Sequence, residues 1–327
     1  MNISPKERFL DICHFKRPGD LCNLSIHNNL ERILGKWIEQ GAPKEIIHPR
    51  FRREYFQFQR VCELDETNSS AFGEARDELP SKIDLGHGIT VGARTHSPAV
   101  PAYEPSIISE DERTVTLRNV TGQTVKYTKE TLKLGWGMPM FLDWPVKDRA
   151  TWNELKKRLD PNTPERWLSD WNAYVQKMNG KSEPLSLGVG SFYGLLREWV
   201  GSERILYMFY DDPGLIEDMM EQVLYLETEV IKRALKDLKI QQAAFWEDMC
   251  YKAGPLISPA MVRKFMMPRY KKITDLLHNY GVDVIYLDSD GNVEQLIPLW
   301  LEVGINLIWP FEVAAGNDVV ALRKKYG

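Results

Sequence analysis

The sequence has few cysteines, no long apolar run and no excess of basic residues, and each of these absences excludes a class of protein. Its 327 residues include four cysteines, none in a C-x-x-C pair, so a disulfide framework and a zinc ribbon are excluded. No apolar stretch approaches the roughly 18 residues that span a bilayer. The 42 Lys and Arg are outnumbered by 46 Asp and Glu, a formal charge of −4, so nucleic acid is not an expected partner.

The amino-terminal residues also lack the basic and then apolar layout of a signal peptide. This predicts a cytoplasmic protein whose cysteines are reduced thiols. Hydrophobic residues make up 43% and charged residues 27% of the chain, as in an ordinary globular protein. The length suits one large domain with a substantial core.

The second half of the chain alternates short apolar segments with amphipathic ones. The apolar segments predict strands at 185–190, 243–246, 282–287 and 305–309. One amphipathic stretch runs from 195 to about 238, and within it Asp212 is predicted as the N-cap of a helix that begins at Pro213. Further helices are predicted from 259 onward, at 293–303 and at 318–326. Because parallel strands need a helical crossover between them, this alternation predicts a parallel sheet buried on both faces.

The first half is less regular. A first strand is predicted at 21–26, followed by a helix at 30–40. Residues from about 66 to 145 are rich in Gly, Pro and Thr, and the alternation at 114–118 and 124–127 predicts a hairpin. We interpret this region as an exposed insertion within a single domain that covers residues 1–327.

The number of strand–helix units leaves two architectures open. Six units can be counted before Gly327, whereas a closed (β/α)8 barrel has eight. The sheet is therefore either open and doubly wound or a barrel cut short after about six units. A shortened barrel would leave the strand at 305–309 as an apolar edge, which predicts a homodimer or aggregation.

Acidic side chains follow two of the predicted strands, where parallel α/β folds place their ligands. Asp288 and Asp290 follow the strand at 282–287, and Glu247 follows the one at 243–246. Oxygen ligands suit Mg, Ca or Mn, so these three carboxylates predict a divalent-metal site in one pocket, or Glu247 as a general base. The alternative is a turn at 288–292 with one aspartate capping the next helix.

Four further side chains are predicted to line the same mouth and to bind the substrate. They are Tyr193, Asp248, Trp309 and Glu312. The glycine-rich segment at 188–194 lacks the spacing of a dinucleotide-binding loop. No serine-nucleophile elbow and no H-E-x-x-H motif occurs in the chain.

The chain resembles the uroporphyrinogen decarboxylase superfamily in four segments: 195–201 (LLREWVG), 210–213 (YDDP), 245–259 (FWEDMCYKAGPLISP) and 288–304 (DSDGNVEQLIPLWLEVG). That superfamily also contains corrinoid-linked methyltransferases, such as those that move a methyl group from methylcobalamin to coenzyme M. The resemblance extends over about 140–327. It implies a (β/α)8 barrel of the TIM type and so favours the shortened barrel.

The departures from the family pattern bear on the activity. The decarboxylases carry an amino-terminal Arg-Gln-Ala-Gly-Arg segment, which residues 25–32 here lack, and their catalytic aspartate has no clear counterpart. The zinc methyltransferases carry His-x-Cys where this chain has Asp288-Ser289-Asp290. Zinc ligation of the thiol type is therefore not implied, because the soft ligand is missing.

The resemblance implies a methyltransferase-like enzyme that acts on a small molecule or a corrinoid-bound methyl group. Glu247, Asp288 and Asp290 would then bind a divalent metal or orient a polar substrate, and a corrinoid protein would dock over the carboxyl ends of the strands. The alternatives are a decarboxylase that works without a cofactor, with an acid as proton donor, and a barrel that binds a ligand without catalysis.

Overall fold

The computed structural model describes residues 3–17, 31–47, 62–63, 82–84, 90–92, 98–133, 138–168, 170–182 and 184–327. Within these ranges the α-helices are α1 (Pro5–Cys13), α2 (Glu31–Glu39), α3 (Lys129–Lys133), α4 (Arg149–Lys156), α5 (Trp171–Asn179), α6 (Gly194–Val200), α7 (Arg204–Asp211), α8 (Pro213–Asp237), α9 (Pro259–Met261), α10 (Met267–Asn279), α11 (Ile297–Glu302) and α12 (Val319–Tyr326). A π-helical turn, Val262–Met266, joins α9 to α10, and 3₁₀ turns lie at Lys44–Ile47, Lys157–Leu159, Pro164–Arg166 and Val313–Ala315. None of the described helices combines the length and the apolar character needed to cross a membrane.

The strands in the same ranges show a mixed α/β protein. They are β1 (Cys62–Glu63), β2 (Lys82–Asp84), β3 (Thr90–Gly92), β4 (Ser106–Glu110), β5 (Thr114–Arg118), β6 (Thr124–Thr128), β7 (Met140–Asp143), β8 (Leu185–Gly188), β9 (Gln242–Trp246), β10 (Cys250–Tyr251), β11 (Gly254–Pro255), β12 (Val284–Asp288) and β13 (Leu307–Trp309).

Five of the strands form a parallel sheet in the order β1-β8-β9-β12-β13. This confirms the predicted parallel pairing. The order follows the chain, without the reversal that defines a doubly wound sheet. Among the described strands, β1 and β13 are the two edges, so these five strands do not by themselves close into a barrel.

The boundaries of several elements differ from the predicted ones. The amphipathic stretch at 195–238 consists of three helices, and Gly201 ends α6 with a φ of 93°. The predicted N-cap is confirmed, since Asp212 accepts from the Leu215 amide at the start of α8. Strand β12 runs on to Asp288, which pairs with neighbours on both sides. The helix predicted at 293–303 begins only at Ile297, since the Val293 amide instead donates to the Asn317 side chain.

The two faces of the parallel sheet have different environments. One face packs into the main core together with residues of α6, α8 and α10, through Leu187, Phe245, Ile285 and Leu287. The other face, called the open face below, carries the partly exposed residues Ala244, Trp246, Tyr286, Asp288, Leu307 and Trp309. Right-handed crossovers place successive helices on one side of a sheet, and among the described residues the helices α6, α8 and α10 pack on the core side.

The hairpin predicted at 114–118 and 124–127 is confirmed as β5 and β6, which pair antiparallel. They belong to a four-stranded sheet, β4-β5-β6-β7, with its own small core of Val115, Leu117 and Val125. The strand predicted at 21–26 lies outside the described residues, as does much of 66–97.

Candidate functional site

Asp288 is the last residue of β12, a strand with partners on both sides. Its neighbours in register are Trp246 on β9 and Trp309 on β13. Side chains paired in this way lie on the same face of a sheet, so two indole rings flank the Asp288 carboxyl on the open face. Trp246 is 37% exposed, and Asp288 and Trp309 are half-buried. The carboxyl-terminal end of the parallel strands, called the carboxyl edge below, therefore presents an acid between two apolar side chains.

Burial raises the pKa of Asp288 to about 7, with further upward contributions from the charges of Asp290 and Asp248. A hydrogen bond with Tyr286 opposes this shift. The carboxyl and carboxylate forms of Asp288 are therefore both populated near neutral pH. Such a group can donate or accept a proton at physiological pH.

Asp248 lies beside Asp288, has a strained backbone conformation and is held in place by an arginine. Its φ is 44°, in the left-handed region that few residues other than glycine adopt. Its amide donates to the Asp288 carbonyl at 3.1 Å. Arg197 Nη1 donates to the Asp248 carbonyl at 2.6 Å and lies 2.9 Å from its Oδ2.

Glu247 is fully buried, and both of its carboxylate oxygens are bound by donors. The donors are the Ser191 hydroxyl (2.8 Å), the amides of Phe192 (2.8 Å), Tyr193 (2.7 Å) and Gly194 (3.1 Å), and the Tyr270 hydroxyl (2.7 Å). Burial raises the pKa of Glu247, although these hydrogen bonds act in the opposite direction. The carboxylate lies at the start of α6, where a helix presents free amides. Its role is to hold the loop 191–194 against the end of β9.

The predicted convergence of Glu247, Asp288 and Asp290 is therefore wrong. Asp288 is in register with Trp246, so Glu247, one residue later, points to the opposite face. Asp290 is exposed and acts electrostatically on Asp288. In the part of the chain that the structure describes, no group of three or more His, Cys, Asp and Glu side chains is arranged to hold a metal ion. The donor set does not fit the predicted divalent metal.

Two of the predicted substrate-binding residues lie elsewhere. Tyr193 is fully buried, its hydroxyl has no hydrogen-bond partner among the described residues, and burial raises its pKa to about 12. It lies within the core and does not wall the mouth. Glu312 is exposed and accepts from the Gly291 amide at 2.7 Å, so it supports the loop after β12. Trp309 and Asp248 do lie beside Asp288.

The alternative prediction, a turn at 288–292, is partly confirmed by the structure. Gly291 has a φ of 84°, and a Cβ there would lie 2.6 Å from the Tyr251 amide nitrogen. Asn317 donates to the Gly291 carbonyl at 2.8 Å. Residues 290–292 therefore form a close turn that needs glycine, whereas Asp288 before it belongs to the strand.

Sequence reasoning missed Arg197 and Tyr270. Arg197 lies one turn into a helix that is otherwise apolar at its start, a position where a cation has to find a partner. That signal was available. The partnership of Tyr270 with Glu247 joins residues from separate helices and strands and has no local signal.

Two surface cavities, of about 1010 and 500 Å³, lie away from the carboxyl edge. The larger is lined by 161–168, the end of α8 and Tyr280, and the smaller by 147–149 and 204–215. Neither includes Asp288 or a neighbour that acts on it. The candidate site is therefore on the open face and not in either of these two cavities.

No protein-family model matches the chain, and no curated protein matches it. Among solved structures, a methyltransferase from Methanosarcina mazei is similar, with a TM-score of 0.47 and 12% sequence identity over 94% of this chain and 76% of that chain. A likeness at this level establishes neither a shared family nor a shared activity. Any conclusion about function depends on the geometry of the carboxyl edge.

Proposed function

We propose that the protein is an enzyme of the uroporphyrinogen decarboxylase superfamily, of its methyltransferase type, with Asp288 as the proton donor and acceptor. The observation that carries the proposal is the position of Asp288 at the carboxyl end of a parallel strand, on the open face, between Trp246 and Trp309. Ligands of parallel α/β folds bind at this edge. The substrate is a small molecule that fits between the two indoles.

A (β/α)8-type barrel is part of the same proposal. Neighbouring barrel strands follow chain order, with helices outside and ligand-binding side chains at the carboxyl ends. The five described parallel strands have that order, and their helix-covered face is the apolar one. The open face then corresponds to the interior of the barrel.

The chemistry follows from the state of the Asp288 carboxyl. When a methyl group is removed from oxygen or nitrogen, the heteroatom keeps the bonding electron pair and takes up a proton. Asp288, with a pKa of about 7, can supply that proton, and the charges of Asp248 and Asp290 favour its recovery from solvent. A corrinoid held over the open face would supply the cobalt that accepts or donates the methyl group. The exposed indole of Trp246 suits contact with a planar ring system.

The other activities have less support in the described residues. A polycarboxylate substrate needs several cations, whereas the charges that act on Asp288 come from Asp290 and Asp248, and Arg197 is already bound to Asp248. Zinc activation of a thiol needs soft ligands. The nearby Cys250 thiol is buried, which raises its pKa to about 12.

The proposal is tested by mixing the protein with cob(I)alamin and a panel of methoxyarenes, methylamines and methyl thioethers. Methylcobalamin formation is followed by absorbance. We expect turnover of one class, at a rate that falls as pH rises above about 7, because the proton-donating form of Asp288 is then lost. Asp288→Asn should reduce the rate roughly 100-fold. Asp283→Asn, just before the other end of β12, should leave it unchanged.

Three results would overturn the proposal. If no methyl donor is used and methylcobalamin does not methylate thiols, the methyltransferase activity is rejected. Release of CO₂ from carboxylated substrates would instead establish the decarboxylase. Ligand binding without turnover would leave a barrel that only binds.

A further inference from the structure

We propose that Arg197 is a positioning residue of this site, whose single guanidinium group locks Trp246 and Asp248, the residues on either side of Glu247 at the end of β9, in place beside Asp288. The inference rests on the proposed function for its activity readout. It rests on geometry alone for its structural readout. Arg197 makes no hydrogen bond or ion pair with Asp288, and its contacts are with Asp248 and the Trp246 ring. It therefore acts through the two residues that it holds.

The backbone of Arg197 is held rigidly. It lies one turn into α6, and the Glu247 carboxylate ties the amides of Phe192 and Tyr193 before this helix, and of Gly194 at its start, to the end of β9. Helix and strand approach so closely there that a Cβ on Gly194 would lie 2.7 Å from both the Ser191 hydroxyl and the Trp246 carbonyl. The Arg197 side chain is therefore projected from a fixed point, and its stem is largely buried, with 13% of the side chain exposed.

The guanidinium holds Asp248 at two places at once. Nη1 donates to the Asp248 carbonyl at 2.6 Å and lies 2.9 Å from the Asp248 Oδ2. These contacts fix both the backbone and the side chain of a residue in the left-handed region, with a φ of 44°. Strained residues of this kind persist only where their surroundings hold them, and they are found disproportionately at functional sites. The Asp248 amide, in turn, donates to the Asp288 carbonyl at 3.1 Å.

The same guanidinium lies over the Trp246 ring, with its Cζ 5.3 Å from the ring centroid. This is within the range of a cation–π interaction. Trp246 is one of the two indoles beside Asp288 and is 37% exposed. Arg197 thus supports the wall of the site on the β9 side.

A lysine cannot make this set of contacts. The planar guanidinium binds with a rigid fork and covers an aromatic face at the same time, whereas an ammonium is a compact point charge. Arg197→Lys therefore separates positioning from charge. A lysine would restore the activity if charge alone mattered, and would restore it only in part if the fork and the ring contact matter.

The test compares Arg197→Met and Arg197→Lys with Arg269→Met. Arg269 is a matched control, because its side chain is 9% exposed and binds the carboxylate of Glu221 at 2.8 Å and the carbonyl of Phe265. Its partners lie on α8 and the π-helical turn, away from the carboxyl edge. Each variant is made with 5-fluorotryptophan, and the Trp246 fluorine resonance is assigned with Trp246→Phe.

We expect the Trp246 resonance to move in Arg197→Met, to move partly in Arg197→Lys and to stay in place in Arg269→Met. For methyl transfer we expect kcat/KM to fall roughly 10- to 100-fold in Arg197→Met. It should change less than threefold in Arg269→Met at a comparable loss of melting temperature. If Arg197→Met does not fold, Arg197→Lys carries both measurements.

An unmoved Trp246 resonance would overturn the inference, and so would full rescue of activity by lysine. Equal losses of rate in Arg197→Met and Arg269→Met would reduce Arg197 to a stabilising residue. A wild-type protein that transfers no methyl group would reject the proposed function, while the fluorine measurement would still decide the role of Arg197.

Discussion

Glu247 and Asp288 lie at the ends of neighbouring strands, yet their two carboxyl groups have opposite surroundings. Glu247 is fully buried and accepts five hydrogen bonds. Asp288 is half-buried on the open face, and its charged neighbours, Asp248 and Asp290, disfavour its ionised form. One carboxylate holds the frame of the site, and the other is available for chemistry.

The difference arises from a shift of one residue. Asp288 pairs with Trp246, and because side chains alternate between the two faces of a strand, Glu247 lies on the face opposite to Asp288. An acid near a strand end is therefore not automatically a ligand. Whether it binds a helix amino terminus or a substrate depends on its register with the neighbouring strand.

Replacing Glu247 should have the largest effect on stability. Glu247→Ala leaves three buried amides and two hydroxyls without their acceptor, so we expect the free energy of unfolding to fall by about 3 kcal/mol or more. Urea unfolding followed by circular dichroism measures it. Glu302→Ala is the control, because that exposed glutamate binds Arg263 at the surface and should cost less than about 1 kcal/mol. Equal losses in the two variants would contradict the anchoring role of Glu247.

Two buried tyrosines next to this anchor sharpen the comparison. The Tyr270 hydroxyl donates to Glu247 at 2.7 Å, whereas the Tyr193 hydroxyl has no hydrogen-bond partner among the described residues. Tyr270→Phe should therefore cost about 1–3 kcal/mol. Tyr193→Phe should cost nothing or stabilise the protein slightly. Thermal unfolding of both variants measures this, and a larger loss in Tyr193→Phe would reverse the roles of the two residues.

The parallel sheet was predictable because its strands are continuous apolar runs separated by helices, as at 243–246 and 282–287. The placement of Asp288 and Trp309 at one edge followed from the same pattern. The position of Glu247 could not be predicted in this way, because the register between two neighbouring strands is not visible in the sequence of either strand alone. Tyr193 was misplaced for a related reason, because loop 191–194 turns back under Glu247 instead of facing the mouth.

The smallest expected effect is a pH-dependent one at Asp288. Its pKa is about 7 in the folded protein against 3.8 for an ordinary aspartate, so the folded state retains a proton that the unfolded chain releases between these values. The contribution of this group to stability therefore falls as pH rises from about 4 to 7 and then stays constant. Because Asn cannot ionise, the free energy of unfolding of Asp288→Asn should rise relative to that of the wild type over that range. Because Asp288 is partly exposed, we expect the difference to reach only about 1 kcal/mol at pH 8.

Urea unfolding midpoints of the wild type and Asp288→Asn at pH 5 and pH 8 measure this gain. Asp211→Asn, at the exposed carboxyl end of α7, is the control. Its unfolding midpoint should equal that of the wild type at both pH values. A variant that is less stable than the wild type at pH 8 would mean that the Asp288 carboxylate is stabilised by its surroundings. The open face would then resemble the Glu247 anchor, and the contrast between a frame and a chemically available acid would be lost.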